Sequence, residues 1–148
     1  MPSTHTSLHY HLIFATKNRD PLLLPEWRLR LHEYLGGIVR GLGGVPQGVG
    51  GVADHVHLLV GLKSSHCLSD FMRELKKVSS IWVGEEMRVP DFRWQEGYGA
   101  FTVSPSTRAA VQTYIAHQEE HHRTKTFRDE LVEFLEKSGV DYDTRYLD

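Results

Sequence analysis

Ala53-Asp54-His55-Val56-His57-Leu58-Leu59-Val60 is the stretch from which the rest of the chain can be read. Its alternation predicts a β-strand. Strand side chains point to opposite faces in turn, so His55 and His57 share one face while Val56, Leu58 and Val60 face a core. Two imidazoles two residues apart on a sheet can grip one metal ion. Such a pair is also what a solvated sheet face carries, and a third donor must come from elsewhere in the fold. The apolar opposite face holds the strand in one register and so presents both rings reproducibly. Asp54 either orients one of these rings or simply begins the strand.

Working outward, Leu8 to Thr16 reads as a first strand that ends before Asp20-Pro21. Pro25 suits a first helical turn, and Trp27, Leu31, Leu35, Ile38 and Val39 recur at helical spacing until the glycines at 41, 43 and 44. Val45 to Val52 is a glycine-rich second strand before the histidine strand. A second helix is expected from Leu68 to Val83, with Leu68, Phe71, Leu75, Val78 and Trp82 inward and Arg73, Lys76 and Lys77 outward. After an aromatic, glycine-rich loop, Ala100 to Ser104 suits a fourth strand. A third helix starts at Ser104-Pro105-Ser106, either serine being a possible cap, and runs to about His122. A last helix covers Phe127 to Lys137. This β-α-β-β-α-β order predicts an α+β fold with a ferredoxin-like split β-α-β sheet, antiparallel and about four-stranded. Helices lie on one face, the other face is open, and an additional C-terminal helical segment carries Tyr114.

The 148 residues fit one domain, 1–148, with 40% hydrophobic and 24% charged residues. No apolar run is long enough to span a bilayer. The start, Met1-Pro2-Ser3-Thr4-His5, has no charged segment leading into an apolar one, so no signal peptide is expected. Cys67 is the only cysteine, which excludes an intramolecular disulfide or cysteine-based zinc site and fits a reducing cytoplasm. Cys67 itself is expected to be buried or half-buried. A net charge of −2 leaves any nucleic-acid surface to a local patch. The ten histidines are the compositional oddity, several falling in pairs.

In the third helix Tyr114, Gln118 and either His121 or His122 fall four and then three or four residues apart, on one helical face. A partly buried tyrosine with exposed polar neighbours is the plain reading. His11, on the first strand, reads as packed or solvated, with an approach to the histidine strand left open.

With these residues in view the chain resembles the single-tyrosine transposases among the HUH endonucleases, and their repeat-associated relatives. His55-Val56-His57 matches the His-hydrophobic-His core. Tyr114-Ile115-Ala116-His117-Gln118 looks like the Tyr-x-x-x-Gln helix. The segments Tyr10 to Lys17, Trp94 to Ser104, Gln118 to His122 and Arg145-Tyr146-Leu147 extend the likeness over nearly the whole length. The resemblance implies a divalent metal, Mg²⁺ or Mn²⁺, on His55, His57 and Gln118; His121, which lies on the Tyr114 face of the helix, is a competing ligand. It implies Tyr114 as nucleophile and a covalent 5′-phosphotyrosine intermediate in the nicking and rejoining of single-stranded DNA. It further implies DNA hairpins as partners, a homodimer in which the tyrosine helix can act in trans, and work at the nucleoid of a prokaryotic-type cytoplasm. His117 stands where many relatives carry Asn.

DNA contact needs cations and stacking surfaces. Lys17, Arg19, Arg73, Lys76, Lys77, Arg93 and Arg123 are the candidates, with Lys125 and Arg128. Phe92, Trp94 and Tyr98 could stack on bases. Each also fits a solvated face or a core position. Two other readings remain: a domesticated or inactive relative that only binds hairpins, and an unrelated histidine-rich metal hydrolase with Glu119 or Glu120 as base.

Overall fold

The structure, a computed structural model, describes residues 3–147. Met1 and Pro2, part of the start inspected for a signal peptide, lie outside the described residues. The elements in order are β1 (Leu8–Ala15), α1 (Pro25–Gly41), β2 (Val45–Gly51), β3 (His55–Leu62), α2 (Leu68–Glu86), β4 (Gly99–Thr102), α3 (Arg108–Ala116), α4 (Gln118–His121) and α5 (Phe127–Lys137). The four strands form one antiparallel sheet in the order β2-β3-β1-β4. That is the split β-α-β arrangement, with the histidine strand paired on both edges. Among the described residues, no helix is long and apolar enough to cross a membrane.

Register decides which face each residue serves. Ala15 lies opposite His55, Ile13 opposite His57 and His11 opposite Leu59. Directly opposed residues of an antiparallel pair share a face. One face therefore carries His11, Ile13, Ala15, His55, His57 and Leu59. The other carries Leu12, Phe14, Val56, Leu58 and Val60, which pack against Trp27, Leu31, Leu35 and Val39 of α1 and Phe71, Met72, Leu75 and Val83 of α2. This is the main core.

The second face is not open. Ile13, Ala15 and Phe101 pack with Phe127, Leu131, Phe134 and Leu135 of α5, and Leu59 and Val103 pack with Val111, Tyr114 and Ile115 of α3. The physical reason is that this face mixes apolar residues with its histidines and needs cover. Burying a side chain such as Ile13 or Phe127 is worth about 1.5–3 kcal/mol. Such contacts hold helices of nine and eleven residues, which are marginal when isolated.

The expected third helix starts late and is broken. Ser104, Ser106 and Thr107 hydrogen-bond among themselves through their hydroxyls rather than capping, and α3 begins at Arg108. At His117 the backbone leaves helical geometry (φ −110°, ψ 29°), and its ring Nδ1 binds the Thr113 carbonyl at 2.7 Å. The chain then restarts as α4. Thr126 caps α5 by accepting from the Asp129 amide at 3.2 Å. Cys67 is exposed, since it precedes α2 at its N-terminus instead of lying on the inner stripe.

Candidate active site

His55 and His57 project from the middle of the sheet into the space under α3, α4 and α5, and both are fully buried. Each has a partner on its Nδ1 side. His55 Nδ1 lies 2.8 Å from Asp54 Oδ1, and His57 Nδ1 lies 2.7 Å from His11 Nε2. Asp54 thus orients His55, and His11 belongs to the site as well as to the first strand. The two Nε2 atoms converge on one carboxylate. Glu130 Oε1 is 2.9 Å from His57 Nε2, 3.5 Å from His55 Nε2 and 3.3 Å from His122 Nε2.

Gln118 closes the ring of donors. Its Oε1 lies 3.3 Å from His55 Nε2 and 3.1 Å from His122 Nε2, while its Nε2 donates to the Tyr114 carbonyl at 3.4 Å. The Tyr114 hydroxyl donates to Glu130 Oε2. So the His55–His57 strand and the Tyr114–Gln118 segment, far apart in sequence, meet in one buried cluster. His121 does not face the same way. Its ring packs on Tyr114, with centroids 4.4 Å apart, whereas its neighbour His122 turns inward. The break at His117 offsets the turn that follows, and an unbroken helix from Tyr114 leaves both histidines possible.

Burial and charge act against each other here. Burial lowers His57 to about 4, with Glu130 opposing the fall, and lowers His11 to about 3, helped by His57. For His55 burial also pulls downward, but Asp54 on one nitrogen and Glu130 on the other raise it above the usual histidine range. Burial would push Glu130 up, yet hydrogen bonds from His122, His55 and His57 hold it well below the usual carboxylate range. Burial, then the Glu130 carboxylate, raises the Tyr114 phenol.

The residues fit a divalent metal. One ligand atom from each of His55, His57, His122 and Glu130 lies within 4.8 Å of all the others. The separations of 2.9 to 3.5 Å from Glu130 Oε1 to the three imidazoles approach the edges, roughly 3.3–3.6 Å, of a four-coordinate site with bonds of about 2.0–2.2 Å. Gln118 offers a further oxygen beside the same point.

Sequence reasoning misses Glu130 and names His121, not His122, as the competing ligand. The signal for Glu130 is its place on the apolar stripe of α5, three residues after Phe127 and four before Phe134, where a carboxylate needs a buried partner. His122 is signalled by its spacing of four from Gln118, a signal that its neighbour His121 shares at a spacing of three.

The cationic candidates are dispersed. Arg19 and Arg123 line a cleft with Asn18, Asp54, His122 and Lys125, which opens beside the histidine cluster. Lys17 lines a separate cleft with Tyr98 and Tyr142. Lys77 and Arg93 are exposed around a shallow depression. Arg73 pairs with Asp70 at 3.0 Å. The Lys76 ammonium is occupied by the carbonyls of Gln95, Glu96 and Gly97, at 2.5, 3.0 and 3.0 Å. Of the candidate stacking residues, Phe92 and Trp94 are buried, the Trp94 indole donating to Ser79 Oγ at 2.9 Å. Tyr98 is exposed.

Comparison with known proteins shows the family and the fold. Residues 4–118 match the family described as "Transposase IS200 like". The ISDra2 transposase TnpA of Deinococcus radiodurans is 31% identical over 124 residues, covering 75% of this chain and 84% of that protein. The transposase for insertion sequence element IS200 of Salmonella typhimurium is 29% identical over 126 residues, covering 81% and 82%. A crystal structure of a putative transposase from D. radiodurans R1 superposes with a TM-score of 0.64 at 32% identity, over 80% of this chain and 95% of that one. A REP-associated tyrosine transposase bound to a REP hairpin shares the fold at 16% identity, with a TM-score of 0.59 over 82% and 74%.

Proposed function

The chain belongs to the IS200-like transposase family, and from that premise we propose that it nicks and rejoins single-stranded DNA through a covalent link to Tyr114. The observation that carries this reading is the convergence of the Tyr114 hydroxyl and the His55 and His57 Nε2 atoms on one buried carboxylate. A nucleophile and a paired-histidine centre then act on the same phosphate.

His55 and His57, with Gln118 as the third ligand the resemblance implies, would hold Mg²⁺ or Mn²⁺, which supplies a Lewis acid for a phosphate oxygen. The remaining work falls to the chain. The scissile phosphodiester enters by the cleft of Arg19 and Arg123. Tyr114 is held by its hydroxyl and by the packing of its ring on His121, so its phenolic oxygen meets the phosphate in one orientation. That oxygen forms a bond to phosphorus as the bond from phosphorus to the 3′ oxygen breaks. The phenolic proton leaves to a neighbouring acceptor, and the departing oxygen is protonated as a free 3′-OH. The product is a 5′-phosphotyrosine link. It keeps the phosphodiester's bond energy, so the 3′-OH of another strand can displace Tyr114 and rejoin DNA without a nucleotide cofactor.

DNA hairpins are the proposed substrate, a reading supported by the hairpin bound to the relative of the same fold. A homodimer belongs to the proposal through the family resemblance alone. Here Tyr114 lies over the histidine pair of its own chain, and the exchange of that helix with a partner subunit is open to test by mixing Tyr114→Phe and His57→Ala proteins.

The test of function is incubation with Mn²⁺ or Mg²⁺ and a labelled library of single-stranded hairpins, followed by a denaturing gel. The expected result is a protein–DNA adduct that vanishes in Tyr114→Phe and is nearly lost in His57→Ala. Binding with no adduct in either metal points instead to a hairpin-binding relative without transposition. Metal-dependent hydrolysis that survives Tyr114→Phe points to a hydrolase using Glu119 or Glu120.

A further inference from the structure

One residue touches both halves of the site. Glu130 lies on α5, in a part of the chain beyond the residues that match the family. Its carboxylate is 1% exposed. A buried carboxylate must be neutralised or heavily hydrogen-bonded, because taking it from water costs several kcal/mol. Its two oxygens have different partners. Oε1 faces the Nε2 atoms of His55, His57 and His122, and Oε2 accepts the Tyr114 hydroxyl.

We propose that Glu130 bridges metal and nucleophile: Oε1 joins His55, His57 and His122 as a donor to a transition-metal dication, and Oε2 seats the Tyr114 hydroxyl beside it in the same chain. This rests on the reading of Tyr114 as the nucleophile. The helix fixes the position of the bridge. Phe127, three residues before Glu130, packs on the His55 ring with centroids 4.5 Å apart. Phe134, four residues after it, packs edge-on against His11 at 5.0 Å and Tyr114 at 5.7 Å. Residues at those spacings share a helical face, so the two aromatic anchors set where the carboxylate falls between them.

The donor chemistry selects the ion. Three imidazole nitrogens and one carboxylate oxygen suit Mn²⁺ or Zn²⁺, whereas Mg²⁺ favours oxygen ligands and keeps several waters. Gln118 adds a further oxygen beside this set and also supports it. Its carbonyl flanks His55 and His122, and its amide is tied to the Tyr114 carbonyl, so it keeps the broken helix in step with the centre.

The test separates ligand from seat. Isothermal titration of the apo protein with Mn²⁺, Zn²⁺ and Mg²⁺ is run on wild type, Glu130→Gln and His122→Gln, with circular dichroism to confirm folding. Wild type should bind Mn²⁺ at least tenfold more tightly than Mg²⁺, and each variant should weaken Mn²⁺ binding about tenfold or more. Single-turnover adduct formation is then measured up to saturating Mn²⁺. His122→Gln should gain rate with rising Mn²⁺ in step with its own titration curve, because its defect lies in metal occupancy. Glu130→Gln should stay about 10- to 100-fold slow, because its phenol is no longer held by a carboxylate. Glu130→Asp, which keeps the charge but shortens the reach, should retain part of the Mn²⁺ affinity and little of the rate. Unchanged Mn²⁺ affinity in both glutamine variants overturns the ligand assignment. A Glu130→Gln rate equal to or above wild type at saturating metal overturns the seat, the faster rate meaning that the carboxylate blocks the site. If wild type forms no adduct in any metal, the nucleophile reading and the seat fall together, while the titrations still decide the ligands.

Discussion

His11 Nε2 and His57 Nδ1 lie 2.7 Å apart, joined across neighbouring strands by a hydrogen bond between ring nitrogens. A metal on His57 Nε2 requires the ring proton on Nδ1, and His11 is the acceptor that keeps it there. His11→Phe fills the volume but removes that acceptor. It should weaken Mn²⁺ binding by roughly 10- to 100-fold, as measured by calorimetric titration, with the adduct reduced in parallel at subsaturating metal. Retained affinity would make His11 a packing residue.

Gly50 pairs with His57 at the point where α3 crosses β2. A Cβ there would lie 2.3 Å from the Ile115 carbonyl oxygen, which is backbone and cannot rotate away. Gly50→Ala should therefore push α3 off the sheet, destabilise the protein by about 1–3 kcal/mol and lower adduct formation. Urea unfolding read beside the adduct assay checks both effects. A variant as stable and as active as wild type would remove this close approach from the account of how Tyr114 is positioned.

Lys76 and Lys77 are adjacent on α2 yet do different things. Lys76 holds three carbonyls of the 95–97 segment, whereas Lys77 is exposed. Lys76→Met should destabilise the fold by about 1–3 kcal/mol through lost charge-assisted hydrogen bonds. Lys77→Ala should change stability by no more than about 0.5 kcal/mol. If Lys77 contacts a phosphate, its loss should also reduce the salt dependence of hairpin binding by about one ion. Denaturant curves and binding isotherms at several salt concentrations distinguish the two.

His32 on α1 has a buried Nε2 with no hydrogen-bond partner, and burial together with the Arg28 guanidinium lowers it to about 4. An unfolded histidine titrates near 6.5. Between those values the unfolded chain binds the extra proton, so stability falls as pH drops from about 6.5 towards 4 and levels off below. His32→Gln should remove roughly 1–3 kcal/mol of that acid-side loss, seen as a flatter stability curve in urea titrations over this window. His11 and His57, also lowered, keep part of the slope in the variant.

The strands and the two long helices are legible because their signals are local. A two-residue period assigns His55 and His57 to one face and Val56, Leu58 and Val60 to the other. Helical spacing finds Trp27, Leu31, Leu35 and Val39, and the buried residues of α1 include all four. Gly41, Gly43 and Gly44 mark where that helix stops. The resemblance brings Tyr114 and Gln118 to attention together, at a spacing that aims both at one region.

What the tertiary structure alone decides depends on contacts between distant segments. The break at His117 sends His122 inward and lays His121 on the tyrosine ring, a choice that adjacent histidines on an unbroken helix do not make. The second sheet face is covered because Ile13, Ala15 and Leu59 interleave with its histidines and bury against α3 and α5. Phe92 and Trp94 pack inward although aromatic loops suit base stacking equally well. Glu130 reaches His57 across 73 residues, and its neighbours in sequence, Asp129 and Glu133, are acidic too. Side-chain chemistry and period say that a carboxylate sits on an apolar stripe. Only folding says which imidazoles and which phenol satisfy it, because that pairing comes from the packing of α5 on the sheet.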